Sequence, residues 1–174
     1  VDSEIVISKK VTISGEFTIA ASDSFAVVSK NALIYVNSTG DLTINGPTVN
    51  ANGKARAILN ESGILTLAAG TVTGGYTTSY VAGIYNTGTA HFYMTGGEVS
   101  GNVISGTYAA DNYLQYSADL WSGSQVIASL TGGTVANLFI NANSFSMTEA
   151  GTTINGATNI IINISGDISL MDAS

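Results

Sequence analysis

The sequence predicts an all-β chain, a right-handed parallel β-helix (β-solenoid) of about seven coils with one inserted loop over residues 105–122. Three observations carry this expectation: a glycine-rich composition with little charge, a recurring glycine-led unit, and a single surplus of chain between two of those units.

Composition sets the class. The chain has 174 residues, of which 45% are apolar and 10% charged, with 20 glycines, one proline and no cysteine. That is enough chain for one domain with a sizeable core, and it excludes disorder and a disulfide scaffold. A helical bundle is excluded because helix surfaces need Glu, Lys, Arg and Gln, whereas Ser, Thr, Asn and Gly supply the polar positions here. The net charge of −7 argues against nucleic acid and anionic lipid as partners. No run of about eighteen apolar residues occurs, so membrane insertion is not expected.

The repeat sets the architecture. A glycine followed by two apolar positions around one polar position occurs at Gly15-Glu16-Phe17-Thr18-Ile19, Gly40-Asp41-Leu42-Thr43-Ile44, Gly63-Ile64-Leu65-Thr66-Leu67, Gly88-Thr89-Ala90-His91-Phe92 and Gly166-Asp167-Ile168-Ser169-Leu170. Looser copies stand at Gly123 and Ser144, so the steps are roughly 25, 23, 25, 35, 21 and 22 residues, the period of a solenoid. Strand alternation turns Phe17/Ile19, Leu42/Ile44, Leu65/Leu67, Ala90/Phe92, Phe145/Met147 and Ile168/Leu170 inward. Thr18, Thr43, Thr66, His91, Ser146 and Ser169 then face outward. Gly70-Thr71-Val72, Gly97-Glu98-Val99 and Gly133-Thr134-Val135 read as further strands entered through glycine turns.

An apolar-Asn step precedes several anchors, at Val36-Asn37, Leu59-Asn60, Tyr85-Asn86, Ile140-Asn141 and Ile162-Asn163. Asparagine suits a tight corner between strands, so stacked copies predict an Asn ladder. The uneven coil lengths favour the right-handed, three-faced kind of helix, whose turns absorb insertions. The chain starts and finishes in strand-like repeats, which reads as a segment of a longer protein.

These residues also carry a family likeness. Gly83-Ile84-Tyr85-Asn86-Thr87-Gly88-Thr89, Thr95-Gly96-Gly97-Glu98-Val99-Ser100-Gly101-Asn102 and Thr131-Gly132-Gly133-Thr134-Val135 resemble the repeats of bacterial cell-surface right-handed β-helix proteins. The resemblance is clearest over residues 36–102. It implies an extracellular, adhesin-like stalk, spacer or binding surface, while polysaccharide lyases and phage tailspikes share the fold.

The surplus between Gly88 and Gly123 falls on residues 105–122, which hold Tyr108, Tyr113, Tyr116 and Trp121 together with Asp111, Asn112, Gln115 and Asp119. Such a loop usually folds its aromatics over the flank as a lid. Its functional alternative is a glycan site, because aromatic rings stack on sugar faces while amides and carboxylates bond the hydroxyls. Asp111, Asn112 and Asp119 match no metal-loop spacing, so no metal is expected. Gly74-Gly75 and Gly96-Gly97 are turn glycines, since no helix follows to hold a phosphate.

Catalytic residues are not expected, and neither is a cofactor. His91 is the only histidine and stands at an outward ladder position, and Lys54-Ala55-Arg56 is the only basic cluster in the interior. The Thr18/Thr43/Thr66 column is too narrow for a flat threonine array. The expected function is therefore a non-enzymatic adhesin scaffold, monomeric as a segment, with a glycan or a host surface protein as partner. A carbohydrate-processing β-helix, lyase-like or glycosidase-like, is the alternative.

Overall fold

The computed structural model describes residues 1–27, 30–78, 81–105, 120–123, 125–136, 138–142, 144–148, 152–154, 161–164 and 168–171. Among these residues there are strands and turns but no helix. The first turn supplies β1 (Ile5–Ile7), β2 (Lys10–Ser14) and β3 (Thr18–Ala20), and the second β4 (Ala32–Val36) and β5 (Asp41–Asn50). The third holds β6 (Arg56–Glu61), β7 (Ile64–Thr73) and β8 (Tyr76–Thr77), and the fourth β9 (Ile84–Thr87), β10 (His91–Val99) and β11 (Val103–Ile104). Beyond them come β12 (Leu120–Ser122), β13 (Ile127–Val135), β14 (Leu138–Ala142), β15 (Ser144–Thr148), β16 (Thr152–Ile154), β17 (Ile161–Ile164) and β18 (Ile168–Met171).

Each strand pairs in parallel with its counterpart in the next turn, so the chain is a β-solenoid. One sheet runs β1-β4-β6-β9-β12-β14-β17, and the second runs β18-β15-β13-β10-β7-β5-β2 with β3 and β16 beside it. A third, two-stranded sheet joins β8 to β11. About four turns are complete, over residues 1–105, rather than the seven coils expected from the anchors.

The core lies between the two large sheets. In the first, Ile34, Ile58, Ile84, Leu120 and Leu138 stack in register and are fully buried. In the second, Leu42, Leu65 and Phe92 form one buried column, and Ile44, Leu67 and Met94 another. Each such side chain contributes roughly 1.5–3 kcal/mol by leaving water. Since every inward position is flanked by the same position one rung away, β-branched and leucine side chains interdigitate along the axis.

The register corrects three expectations. The partners of Leu42 and Ile44 in the first turn are Val11 and Ile13, not Phe17 and Ile19. Phe17 stands just before β3 and is 48% exposed, and Lys9 occupies the place that Gly40 and Gly63 hold in the later turns. In the fourth turn the pattern slides by two: Phe92 and Met94 align with Leu65 and Leu67, and His91 with Ile64. The outward hydroxyl column is accordingly Thr12, Thr43 and Thr66, continued by Tyr93, while Thr18 heads a second one of Thr48 and Thr71, continued by Glu98. Tyr93 and Glu98 interrupt both columns, so neither makes a flat threonine array.

Gly15 belongs to a glycine column of its own. Gly15, Gly46, Gly70, Gly97 and Gly133 all have positive φ and lie against one another's backbone. Register shifts flank Asn45 in β5 and Thr95 in β10, so this column is a repeated β-bulge that bends the long strands between their two inward stretches.

The Asn ladder forms in shortened shape. Asn60 Nδ2 donates to Asn86 Oδ1 at 3.0 Å and to the His91 carbonyl at 3.1 Å, and Asn86 Nδ2 reaches Ser122 Oγ at 3.5 Å. All three residues are fully buried. Val36 occupies the next rung of the column and offers no donor, so Asn60 Oδ1 is buried without a partner. Asn37 stands one position away, in an exposed corner where its Oδ1 accepts from the Thr39 amide and hydroxyl. Asn141 and Asn163 pair with each other in register, also one position off. Asn102, the last residue of the Thr95–Asn102 motif, is buried and binds the corner: its Oδ1 accepts from the Gly75 amide at 2.8 Å, and its Nδ2 donates to the Val72 and Ser100 carbonyls.

Candidate functional site

Of the four aromatics expected to form a glycan site, Tyr108, Tyr113 and Tyr116 lie outside the described residues, as do Asp111, Asn112, Gln115 and Asp119. Trp121 is described through its backbone. It belongs to β12, level with Tyr85 of β9 on one side and Phe139 of β14 on the other. Residues 120–122 of the expected insertion are thus a strand of the first sheet.

That register defines one column of strand positions in the sheet. Val6, Tyr35, Leu59, Tyr85, Trp121 and Phe139 follow one another rung by rung. Tyr35 stands between buried Ile34 and Val36, Leu59 between buried Ile58 and Asn60, and Tyr85 between buried Ile84 and Asn86. Period-two alternation therefore turns these three outward. Tyr35 and Tyr85 are half-buried, and Leu59 is packed between them.

Two of the five basic residues lie over these rings. Lys30 Nζ is 5.1 Å from the centroid of Tyr35, and the Arg56 guanidinium carbon is 5.3 Å from that of Tyr85. Arg56 Nε also donates to the Val81 carbonyl at 3.0 Å, and burial lowers its pKa from the ordinary arginine value. Glu61 Oε2 accepts from Lys30 Nζ and from Tyr35 Oη, each at 2.6 Å. These hydrogen bonds hold the Glu61 carboxyl below the usual glutamate range and raise the pKa of both Lys30 and Tyr35. The face therefore carries two rings each covered by a cation, and a carboxylate that ties Lys30 to Tyr35, which is hydrogen-bonding and cation–π chemistry.

The signs give a pH prediction. A depressed glutamate pKa contributes stability above its unfolded value that is lost as pH falls through the folded value. Glu4 is the opposite case, its carboxyl raised by burial, so protonating it favours the fold. Between about pH 7 and about pH 3 the melting temperature of Glu61→Gln should fall less than that of the natural chain, and that of Glu4→Gln more. Parallel acid scans check this, and curves of equal slope would remove Glu61 from acid stability. Lys30 and Glu61 are both well exposed, so the effect is small.

The remaining candidates do not converge. His91 Nδ1 lies 3.2 Å from Tyr93 Oη on the second sheet, and Lys54 Nζ lies 3.6 Å from Asp23 Oδ1. Among the described residues no group of three or more His, Cys, Asp or Glu could hold a metal ion, and no helix is long and apolar enough to cross a membrane. Of the positions in this column, the sequence pattern had pointed to Trp121 alone. Tyr35 and Tyr85 carried a readable signal, a single aromatic between two residues of the inward period, whereas Lys30 and Glu61 meet across 31 positions and carried none. Comparison with known protein families, with curated proteins and with solved structures finds no match to this chain.

Proposed function

We propose that this chain is a right-handed parallel β-helix segment of a secreted bacterial surface protein, a non-enzymatic adhesin scaffold that presents a glycan-binding surface. The observation that carries it is the continuous parallel stack, in which each turn buries its inward residues against the next to make a stiff rod. Right-handed crossovers are the rule for parallel strands of one sheet, which supports the handedness. The resemblance of Gly83–Thr89 and Thr95–Asn102 to bacterial surface repeats supports the location. The aromatics of the 105–122 region, Tyr108, Tyr113, Tyr116 and Trp121, are the proposed ligand contacts.

A glycan and mucin array tests this reading with the natural chain beside a variant carrying alanine at those four positions. Binding by the first and not the second is expected. A natural chain with intact circular dichroism that binds nothing would leave only a spacer.

A further inference from the structure

We infer that Glu4, Lys30, Tyr35 and Glu61 form a pH-responsive clamp across the first three turns, closed most firmly in mildly acid solution because two carboxyls compete for one ammonium. The clamp governs how the turns hold together, and it does not depend on glycan binding.

The four side chains come from three successive turns. Glu4 stands just before β1 in the first turn, Lys30 and Tyr35 lie in the second, and Glu61 ends β6 in the third. Glu61 Oε2 takes both of its donors from the turn before, Lys30 Nζ and Tyr35 Oη, each at 2.6 Å. Lys30 also lies over the Tyr35 ring, so these contacts fasten the third turn to the second. Glu4 is drawn to the same ammonium from the first turn, and its carboxyl accepts from the Ala32 amide of the second. Yet Glu4 Oε2 is shut off from water and has no hydrogen-bond partner. Arg56, the cation of β6, is turned instead to the Tyr85 ring and the Val81 carbonyl.

The two carboxyls answer acid in opposite ways. A carboxylate oxygen buried without a donor is costly, so neutralising Glu4 favours the joint between the first and second turns. Burial raises the Glu4 pKa against the weaker pull of the Ala32 amide and Lys30. The stability it contributes is full below the unfolded value and is lost as pH rises through the folded one. Glu61 has the reverse sign, because the bonds from Lys30 and Tyr35 lower its pKa. Its contribution is present above the unfolded value and is lost as pH falls through the folded one. Both carboxyls start from the ordinary value of 4.5, so only near that pH do both joints hold fully. Lys30 stays charged and Tyr35 stays protonated throughout, since both of their pKa values are raised from ordinary values that are already high.

Hydrogen exchange at three backbone amides tests the clamp. The Asn37 amide donates to the Ile7 carbonyl across the first joint, and the Arg56 amide to the Asn31 carbonyl across the second. The His91 amide donates to the Gly63 carbonyl one joint further on and serves as the control. Expressed as protection factors, exchange at Asn37 should slow by about two- to fivefold from about pH 7 to about pH 4.5. Protection at Arg56 should hold over that range and fall by a similar factor from about pH 4.5 to about pH 3. Glu4→Gln should abolish the change at Asn37 and leave Arg56 as it was. Lys30→Met takes the shared ammonium from both carboxyls, so the gain at Asn37 should grow while the loss at Arg56 shrinks.

Flat protection at Asn37 between about pH 7 and about pH 4.5, or an equal rise in Glu4→Gln, overturns the clamp. So does a Lys30→Met chain whose Asn37 keeps the natural pH profile, since the two carboxyls then do not share the ammonium. Equal changes at His91 mark a response of the whole fold to acid and overturn it as well. Should a variant fail to fold, the three amides of the natural chain still decide between a local clamp and a global response.

Discussion

Leu65→Asp is expected to unfold the chain. Leu65 is fully buried in β7, directly between Leu42 and Phe92 of the neighbouring turns. Truncation to alanine at such a site costs about 2–5 kcal/mol through lost burial and the cavity left behind. Aspartate adds the cost of placing a carboxylate where no donor or cation can reach it, and the whole stability of an ordinary domain is only about 5–15 kcal/mol. The fold also spreads the damage, because a coil that cannot stack deprives both neighbours of a partner. Thr66→Asp is the matching control, one residue along and turned to the outer face beside Thr43 and Tyr93, and should change stability by about 1 kcal/mol or less. Thermal melting followed by circular dichroism decides it. A Leu65→Asp melting point within a few degrees of the natural chain would refute the register.

The second large effect is expected at Gly70. Its φ is +98°, and a Cβ there would lie 2.1 Å from the Pro47 carbonyl oxygen and 2.9 Å from the Gly46 carbonyl carbon. Both are backbone atoms held in the pairing of β5 with β7, so neither can swing aside as a side chain could. Gly70→Ala should therefore cost about 2–5 kcal/mol, the sum of left-handed strain and overpacking. For a chain of this size that lowers the melting temperature by about 10 °C. Gly53→Ala separates the two causes: its φ is +71°, but nothing lies within 4 Å of the added carbon, so only strain of about 1–2 kcal/mol is expected. Equal losses at both positions would show that close approach of the turns plays no part. Because Gly46, Gly97 and Gly133 occupy the same column, the result bears on the bulge in every long strand of the second sheet.

Much of the architecture was legible along the chain. Glycine spacing and two-residue alternation identified Leu42, Ile44, Leu65 and Leu67 as inward, and the structure buries all four completely. The same reasoning slipped wherever a different glycine stood in for the anchor. Gly15 drew the first turn toward the bulge column, and Gly88 drew the fourth out of step by two residues. Alternation of period two cannot detect a shift of two, because the same faces stay inward. Only pairing with the neighbouring rung selects among such registers.

The candidate site shows the same division more sharply. Composition, periodicity and the Asn steps were enough to establish stacked parallel strands, since each depends on residues close together in sequence. The candidate column depends on which residues are level with one another in different turns. Tyr35, Tyr85 and Trp121 come 50 and 36 positions apart and line up only because each turn advances the chain by one strand spacing. Lys30, Tyr35 and Glu61 likewise become one charged cluster only when the second and third turns stack. Local propensity and alternation operate along the chain, so the sequence could declare them. Register between turns is a property of packing, settled by which apolar columns fill and which glycines let the backbones touch, and that was decided by the tertiary structure alone.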